Sequence, residues 1–286
     1  MTQQMKKNQL LGIFLMALSP VLWAQDRILT HTDFSAHTLV KDIFASGVCD
    51  NIDVISMIGH EDGVGFFENG SASIGIESGI ILSTGLTQNA HGPNDVTDKS
   101  TNLPGPNDDV DLDRLASGEV HDPVGIEFDF VPLDTFVQFR YVFASEEYCE
   151  FVGSNYNDVF GFFVSGPGID GPFANDAINV ALVPGTSDYV AINSVNFNDN
   201  PAYYIHNEIA PDQEQCNLPV VSNPSRDAIQ YDGFTQVLTA RLELIPCQTY
   251  HIRLVVGDVS DPFFDSAVFL EAGSFDLGPE ISVEAV

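Results

Sequence analysis

Between positions 136 and 144 the chain alternates. Val137, Phe139, Tyr141 and Phe143 fall on one side, and Phe136, Gln138, Arg140 and Val142 on the other, the period of two expected of a strand with one apolar face. Positions 159–164 form an unbroken apolar run closed by Ser165-Gly166-Pro167-Gly168, which predicts a short strand buried on both faces and ended by a turn. Ile126, Phe128 and Phe130 alternate with Glu127 and Asp129. Tyr250, Ile252, Leu254 and Val256 alternate with His251, Arg253 and Val255, as half-buried antiparallel strands do. Further apolar or alternating runs at 52–58, 73–76, 79–83, 179–183, 190–195, 236–245 and 267–272 are separated by Gly, Pro, Asn and Asp, and a short helix is expected at 36–44. After the first 24 residues there is no long stretch of 3.6-residue period and no repeat of fixed length, which excludes helical bundles and solenoids. The pattern predicts one all-β domain: two antiparallel sheets packed as a sandwich of jelly-roll type, with Phe139, Tyr141, Phe143, Phe160 and Leu254 in its core and long acidic loops.

Two of those loops stand out. Positions 88–122 and 196–231 carry no strand pattern, and loops of this length inside a compact domain are usually functional or partly disordered. A third, between the strands at 136–144 and 159–164, concentrates Glu146, Glu147, Glu150, Asn155, Asn157 and Asp158 with no Lys or Arg among them, so its carboxylates must find a counter-charge elsewhere.

Charge sharpens this. Ten Lys and Arg against 41 Asp and Glu give a formal net charge of −31 over 286 residues, a balance that repels nucleic acid and anionic membrane surfaces and attracts divalent cations. The N-terminus carries Lys6 and Lys7, an apolar run from Leu10 to Leu18, and Ala24 before Gln25, the layout of a secretory signal peptide over residues 1–24. That run is too short to span a bilayer, so no transmembrane segment is expected and the protein is expected outside the cell or on its surface, exported by a Sec-type route. In such a compartment Cys49, Cys149, Cys216 and Cys247 can form up to two disulfides, with three possible connectivities. Cys216 sits in a polar loop and Cys247 ends an apolar run, which favours Cys216–Cys247, leaving Cys49–Cys149. No CxxC spacing marks a zinc site.

The acids make calcium the expected cofactor, because calcium takes six to eight hard oxygens from loops that can adjust. Glu146, Glu147 and Asp158 come from one loop, and Asp258, Asp261 and Asp265 from another; in a sandwich both belong at one rim. Asp109, Asp111 and Asp113 form a secondary DxDxD candidate without the spacing of an EF-hand. Phe263 and Phe264, following Pro262 in a loop, are candidate ligand contacts, whereas most other aromatics read as core. There is no GxSxG, HExxH or P-loop motif. A non-enzymatic binding or adhesive module is therefore expected, its partner an extracellular glycan or a surface protein. The alternatives are a secreted hydrolase using Glu147 with Asp158 or Asp265, and a structural matrix protein.

Several ordered motifs carry a resemblance: GIESGIILSTG at 75–85, GPND at 92–95, DVDLDRLA at 109–116, YVFASEEYCEFV at 141–152, NDVFGFFVSGPG at 157–168, NVALVPGT at 179–186, YDGFT at 231–235 and DSAVFLEAGSF at 265–275. Together, over residues 40–276, they resemble the choice-of-anchor L domain of exported bacterial proteins. The resemblance implies a surface or secreted module named for the varied sorting signals that follow it. Residues 25–39 then read as a lead-in and 277–286 as a short tail with no apolar anchor and no basic stop.

Overall fold

The structure is a computed structural model that describes residues 27–46, 51–106, 108–116, 118–207 and 227–278. Its strands, in chain order, are β1 (Leu29–His31), β2 (Ala45–Ser46), β3 (Ile52–Ile58), β4 (Val64–Glu68), β5 (Gly79–Ser83), β6 (Val120–Phe130), β7 (Phe136–Ser145), β8 (Val159–Ser165), β9 (Ile178–Asn179), β10 (Tyr204–His206), β11 (Gly233–Thr235), β12 (Leu238–Glu243), β13 (Tyr250–Val259), β14 (Ser266–Glu271) and β15 (Phe275–Asp276). They form two sheets. The larger, of ten strands, runs β1-β4-β5-β14-β7-β11-β10, with β12 and β15 also pairing with β7 and β2 pairing with β15; the smaller runs β3-β6-β13-β8-β9. The expected two-sheet antiparallel sandwich is what the chain forms. Among the described pairings only β2 with β15 is parallel.

The alternating runs explain the layers. From β7, Phe139, Tyr141 and Phe143 point inward onto Phe160 and Phe162 of β8, with ring centroids 4.9 Å apart for Phe139–Phe162 and 5.1 Å for Phe143–Phe160. Leu254 of β13 is buried in the same layer. Such aromatic pairs add about 0.5–1.5 kcal/mol each beyond the area they bury. The other face of β7, with Val142 and Ala144, joins Ile81, Ala267 and Phe269 in a second cluster on the outer side of the large sheet. This cluster is capped by Ile74, Ile76, Ile229 and Tyr231. The run at 73–76 is accordingly a turn that plugs this face, with the N–H of Ile74 donating to the carbonyl of Gly70, rather than a strand.

The outer face of the small sheet is covered too. Here the DVDLDRLA segment folds as a helix, α2 (Val110–Ala116), after α1 (Ala36–Thr38) and the wider turn that continues it to Phe44. Leu112 and Leu115, three apart on one helix face, pack with Val255, Phe163 and Val159. Of the runs at 179–183 and 190–195 only Ile178–Asn179 is a strand. Pro184 and Gly185 break the first, and the remainder turns on isolated bridges such as Leu182 to Tyr189 while burying Val183, Val190 and Ile192.

Two further boundaries differ from expectation. Residues read as a lead-in belong to the sandwich, because β1 pairs with β4 as an edge strand. Strand β6 starts earlier than its alternating run, at Val120, and bulges where Pro123, which has no N–H to give the ladder, follows Asp122 in the left-handed region at φ 45°. The Cys216–Cys247 pairing is overturned, since Cys247 is exposed and free. Cys149 is disulfide-bonded. Cys49 and Cys216 lie outside the described residues, as does the signal-peptide segment 1–24. No helix of the described residues is long and apolar enough to cross a membrane.

Candidate cation site at the acidic rim

At one rim of the sandwich the strands end in acids. Ser145, the last residue of β7, lies opposite Ser266 of β14 on one side and Gly233 of β11 on the other. One residue further, Asp265, Glu146 and Asp232 stand side by side on three adjacent strand ends, and the Glu146 N–H donates to the Asp265 carbonyl at 3.1 Å. Directly opposed side chains in a sheet are about 5 Å apart, and like charges there repel. In the small sheet Gly257 lies opposite Val159, which sets Asp258 beside Asp158, and Asp258 pairs with His121 next to Asp122.

Strand alternation divides these acids between two faces. Glu146 continues the outward series Val142 and Ala144, as Asp265 continues Ala267 and Phe269, and Asp232 continues Phe234. Glu147 continues the inward series of Phe143, and Asp158 and Asp258 continue Phe160 and Val256. The polar neighbours sort the same way. Tyr231 and Gly85 lie on the outer side; a Cβ at Gly85 would fall 1.9 Å from the Asp265 Oδ2, so only glycine leaves room for that carboxylate. On the inner side the Ser266 hydroxyl donates to Asp158 Oδ2 at 2.6 Å and the Val259 N–H to Oδ1 at 2.9 Å.

All these side chains are buried: Glu146, Asp158 and Asp232 at 0 %, and Glu147, Asp258 and Asp265 at 1 % exposure. The Asp265 carboxylate accepts from Asn89 Nδ2 at 2.7 Å and from the Thr101 N–H at 2.9 Å, and Asp232 Oδ1 accepts from Asn94 Nδ2 at 2.7 Å. The segment 89–101 thus folds over the rim and supplies amides to it. Neither oxygen of Glu146 and neither oxygen of Asp258 has a hydrogen-bond donor, and Glu147 Oε2, Glu150 Oε2 and Asp122 Oδ2 are likewise unpartnered. Gln230 and the Lys99 backbone come near enough to Glu146 to temper its field but not to bond it. Among the described residues no ion pair reaches Glu146, Glu147, Asp158, Asp258 or Asp265.

The electrostatic result is uniform in sign. Burial, and then the neighbouring Asp232 and Asp265, push Glu146 well above the usual carboxylate range. Burial, Asp158, Asp261 and Glu150 push Glu147 up to about 11. Asp158 and Asp265 each rise to about 7, chiefly by burial, and Asp258 rises well above its ordinary value through burial, Asp158 and Asp265. A buried carboxylate without a counter-charge takes up a proton or a cation. The donors here are all hard oxygens, which fits a divalent ion of the calcium class. No three His, Cys, Asp or Glu side chains of the described residues form a ready metal-holding group.

The other candidates fare differently. Asp261 flanks the rim, its Oδ1 accepting the Phe263 N–H, and its charge raises Glu147 and Asp158. Asp109, Asp111 and Asp113 are engaged by the protein itself. Asp109 caps α2 through the N–H groups of Asp111 and Leu112, and Arg253 pairs with the Asp109 and Asp111 carboxylates. Asp111 Oδ1 also accepts from Ala174 N–H and Asp113 Oδ1 from Val120 N–H. Phe263 is 55 % exposed, whereas Phe264 stacks edge-on against Phe151 with centroids 5.0 Å apart. Asp232 and Asp122 were not among the sequence candidates. Asp232 lies in YDGFT, ahead of a strand of three residues too short to display a period, and its signal was only the same acid-before-strand pattern seen at Asp265.

Comparison with curated proteins finds no match, and comparison with solved structures finds none either. The family model of the choice-of-anchor L domain matches residues 28–276, which takes in β1 and ends at the last residue of β15. Domains of this type occur in exported proteins. The chain belongs to the choice-of-anchor L domain family.

Proposed function

We propose that this chain is an exported, calcium-binding β-sandwich module, secreted or held at the cell surface, whose acidic rim takes up the ion and whose loops bind an extracellular glycan or surface protein. The observation that carries the reading is the pair of fully buried carboxylates, Glu146 and Asp258, that have no hydrogen-bond donor on either oxygen. An exchangeable proton neutralises such groups only until the medium is alkaline enough to remove it; a divalent cation neutralises two at once and bonds their free lone pairs. Outside the cell calcium is available at concentrations that suffice for weak sites.

A binding rather than catalytic role is supported by the same burial. Glu147, Asp158 and Asp265, the acids a hydrolase would use, are at most 1 % exposed and out of reach of a polymeric substrate. A surface for a partner adjoins the rim. A cavity of about 340 Å³ opens beside Asn157, the residue before Asp158, with Asp188, Tyr189, Asn193 and Asp199 in its wall. Amides, carboxylates and one aromatic ring suit a neutral, hydroxyl-rich ligand.

The test is thermal melting of the exported chain in calcium and in chelator, followed by a glycan array in the stabilising condition. Stabilisation by calcium together with glycan binding supports the whole reading. Identical melting in both conditions, with no ion retained in native mass spectrometry, overturns the calcium role; turnover of a polysaccharide or peptide library that vanishes in Glu147→Gln overturns the non-enzymatic one.

A further inference from the structure

The cavity beside Asn157 does not stand alone. A second, of about 490 Å³, adjoins it, and Asn157 and Asn193 line both. Its wall comes from the loops after β7 and β13, through Ser154, Asn155 and Ser260, and from the end of α2. The stretches 153–157 and 185–200, which supply most of the two walls, are rich in Ser, Asn and Asp and hold no Lys or Arg.

These walls are braced from within. Asn193 spends its side chain on the fold: its Nδ2 donates to the Ser154 carbonyl at 2.9 Å, its Oδ1 accepts the Gly153 N–H, and its own N–H donates to Asn157 Oδ1 at 2.7 Å. Asn196 Oδ1 accepts the N–H groups of Asn198 and Asp199 at 2.8 Å, and Asn200 Nδ2 donates to the Ser194 carbonyl at 2.8 Å. The Ser260 hydroxyl donates to the Asn155 carbonyl at 3.0 Å, which ties the loop after β13 to the loop after β7. A wall fixed in this way loses little freedom when a ligand enters. Against that bracing, Asn157 Nδ2, the Asn155 amide and the Asp188 and Asp199 carboxylates have no hydrogen-bond partner among the described residues.

We infer, building on the binding-module reading above, that the two cavities form one groove for an uncharged oligosaccharide, with one sugar unit held by Asn157, Asp188 and Asp199 and the next beside Asn155. A sugar hydroxyl both donates and accepts; the two carboxylates accept and the amide of Asn157 donates, so the free groups complement it. Neither wall holds a cation, and a formal charge of −31 repels an acidic glycan. Concave polar spaces of this volume enclose a small ligand rather than meet a flat protein face. Phe263, three residues beyond Ser260 and 55 % exposed, adds a ring on the loop that lines the second cavity.

The test uses the full exported chain in calcium. Arrays of neutral and of acidic oligosaccharides are probed, and the neutral one with the strongest signal is titrated by calorimetry at lengths from one to four units. Expected are neutral hits only, with affinity that rises from one unit to two. Asp188→Asn with Asp199→Asn should weaken every length about tenfold or more, whereas Asn155→Ala should weaken the longer ligands and leave the single unit unchanged. All three side chains are exposed, so the fold should survive, and near-ultraviolet circular dichroism checks it; should a variant fail that check, the array and the length series of the wild-type chain decide. Absence of neutral hits, or preference for acidic glycans, overturns the assignment. Affinity independent of length, or unchanged in the Asp188 and Asp199 variant, overturns the groove. The calcium reading is judged separately by melting in calcium and in chelator, and a protein partner by its own binding, so either can stand or fall without the groove.

Discussion

Glu146 and Asp265 are joined by a backbone hydrogen bond of 3.1 Å and opposed by their side chains. The ladder that holds the two strands together is therefore also what forces two buried acids against each other. Two carboxylates about 4 Å apart repel by roughly 4 kcal/mol at the effective dielectric near a protein surface, a large fraction of the net stability of a domain. Folding at this rim is favoured when something neutralises them.

The first prediction concerns calcium. Binding to the folded state alone at about 100 times the dissociation constant adds ~2.7 kcal/mol. For a domain of this size that is a rise of about 5–10 °C in Tm over the chelated protein. Differential scanning calorimetry at neutral pH checks it.

The second concerns pH without metal. The folded Asp265 titrates near 7 against an ordinary value of 3.8, so between these values the folded state holds more protons than the unfolded one. Stability is then fully present below about pH 4, declines as pH rises through 7, and amounts to a few kcal/mol of loss. Asp158, also near 7, acts in the same direction. Chelated protein should melt at higher temperature at pH 5 than at pH 8, and calcium should flatten that slope. A slope of the opposite sign would mean that these acids ionise freely in the folded protein.

The third separates charge from shape. Asp258→Asn keeps the volume, removes a buried charge that has no donor, and should raise Tm in chelator while lowering the calcium-dependent gain. Urea denaturation in both media measures the two effects in one protein.

The fourth distinguishes two adjacent rings. Phe263→Ala should leave stability within about 0.5 kcal/mol, because its ring is largely in solvent, and should weaken binding to the partner. Phe264→Ala should cost about 1–3 kcal/mol through loss of its packing on Phe151. Equal effects of the two on melting would remove Phe263 as a contact.

The fifth is chemical. Native protein should react with a maleimide at Cys247, which is exposed and free, and not at Cys149, which is disulfide-bonded. Peptide mapping after labelling reads this directly.

Much of the sandwich was legible because its central strands are long and bear alternation on a strong scale. Phe139, Tyr141 and Phe143 could hardly face anywhere but a core, and the acids that end those strands marked the rim. What escaped was set by length and by context. Strands of two or three residues, such as β11 and β15, have no room to show a period. The helix α2 was hidden because Asp109, Asp111 and Asp113 suggest ion binding, while the spacing of Leu112 and Leu115 speaks for a helix only once Arg253 is known to stand opposite the acids. The runs around 180 and 192 are apolar because they close an end of the core, which a turn can do as well as a strand. Asp232 needed the pairing of β11 with β7, a contact between positions nearly ninety apart that no local pattern encodes.

Gly85 offers a way to silence the outer half of the rim while every acid stays in the chain. A methyl group there would lie 1.9 Å from the Asp265 Oδ2, closer than any side chain tolerates, and would act as a wedge. Gly85→Ala should therefore behave as a steric knock-out: composition, formal charge and the number of carboxylates are untouched, yet the Asp265 carboxylate is driven from its place beside Glu146. A protein that loses ion binding through one added carbon has its affinity in the placement of its acids and not in their abundance, and in a chain this rich in Asp and Glu that difference separates a receptor from a polyelectrolyte.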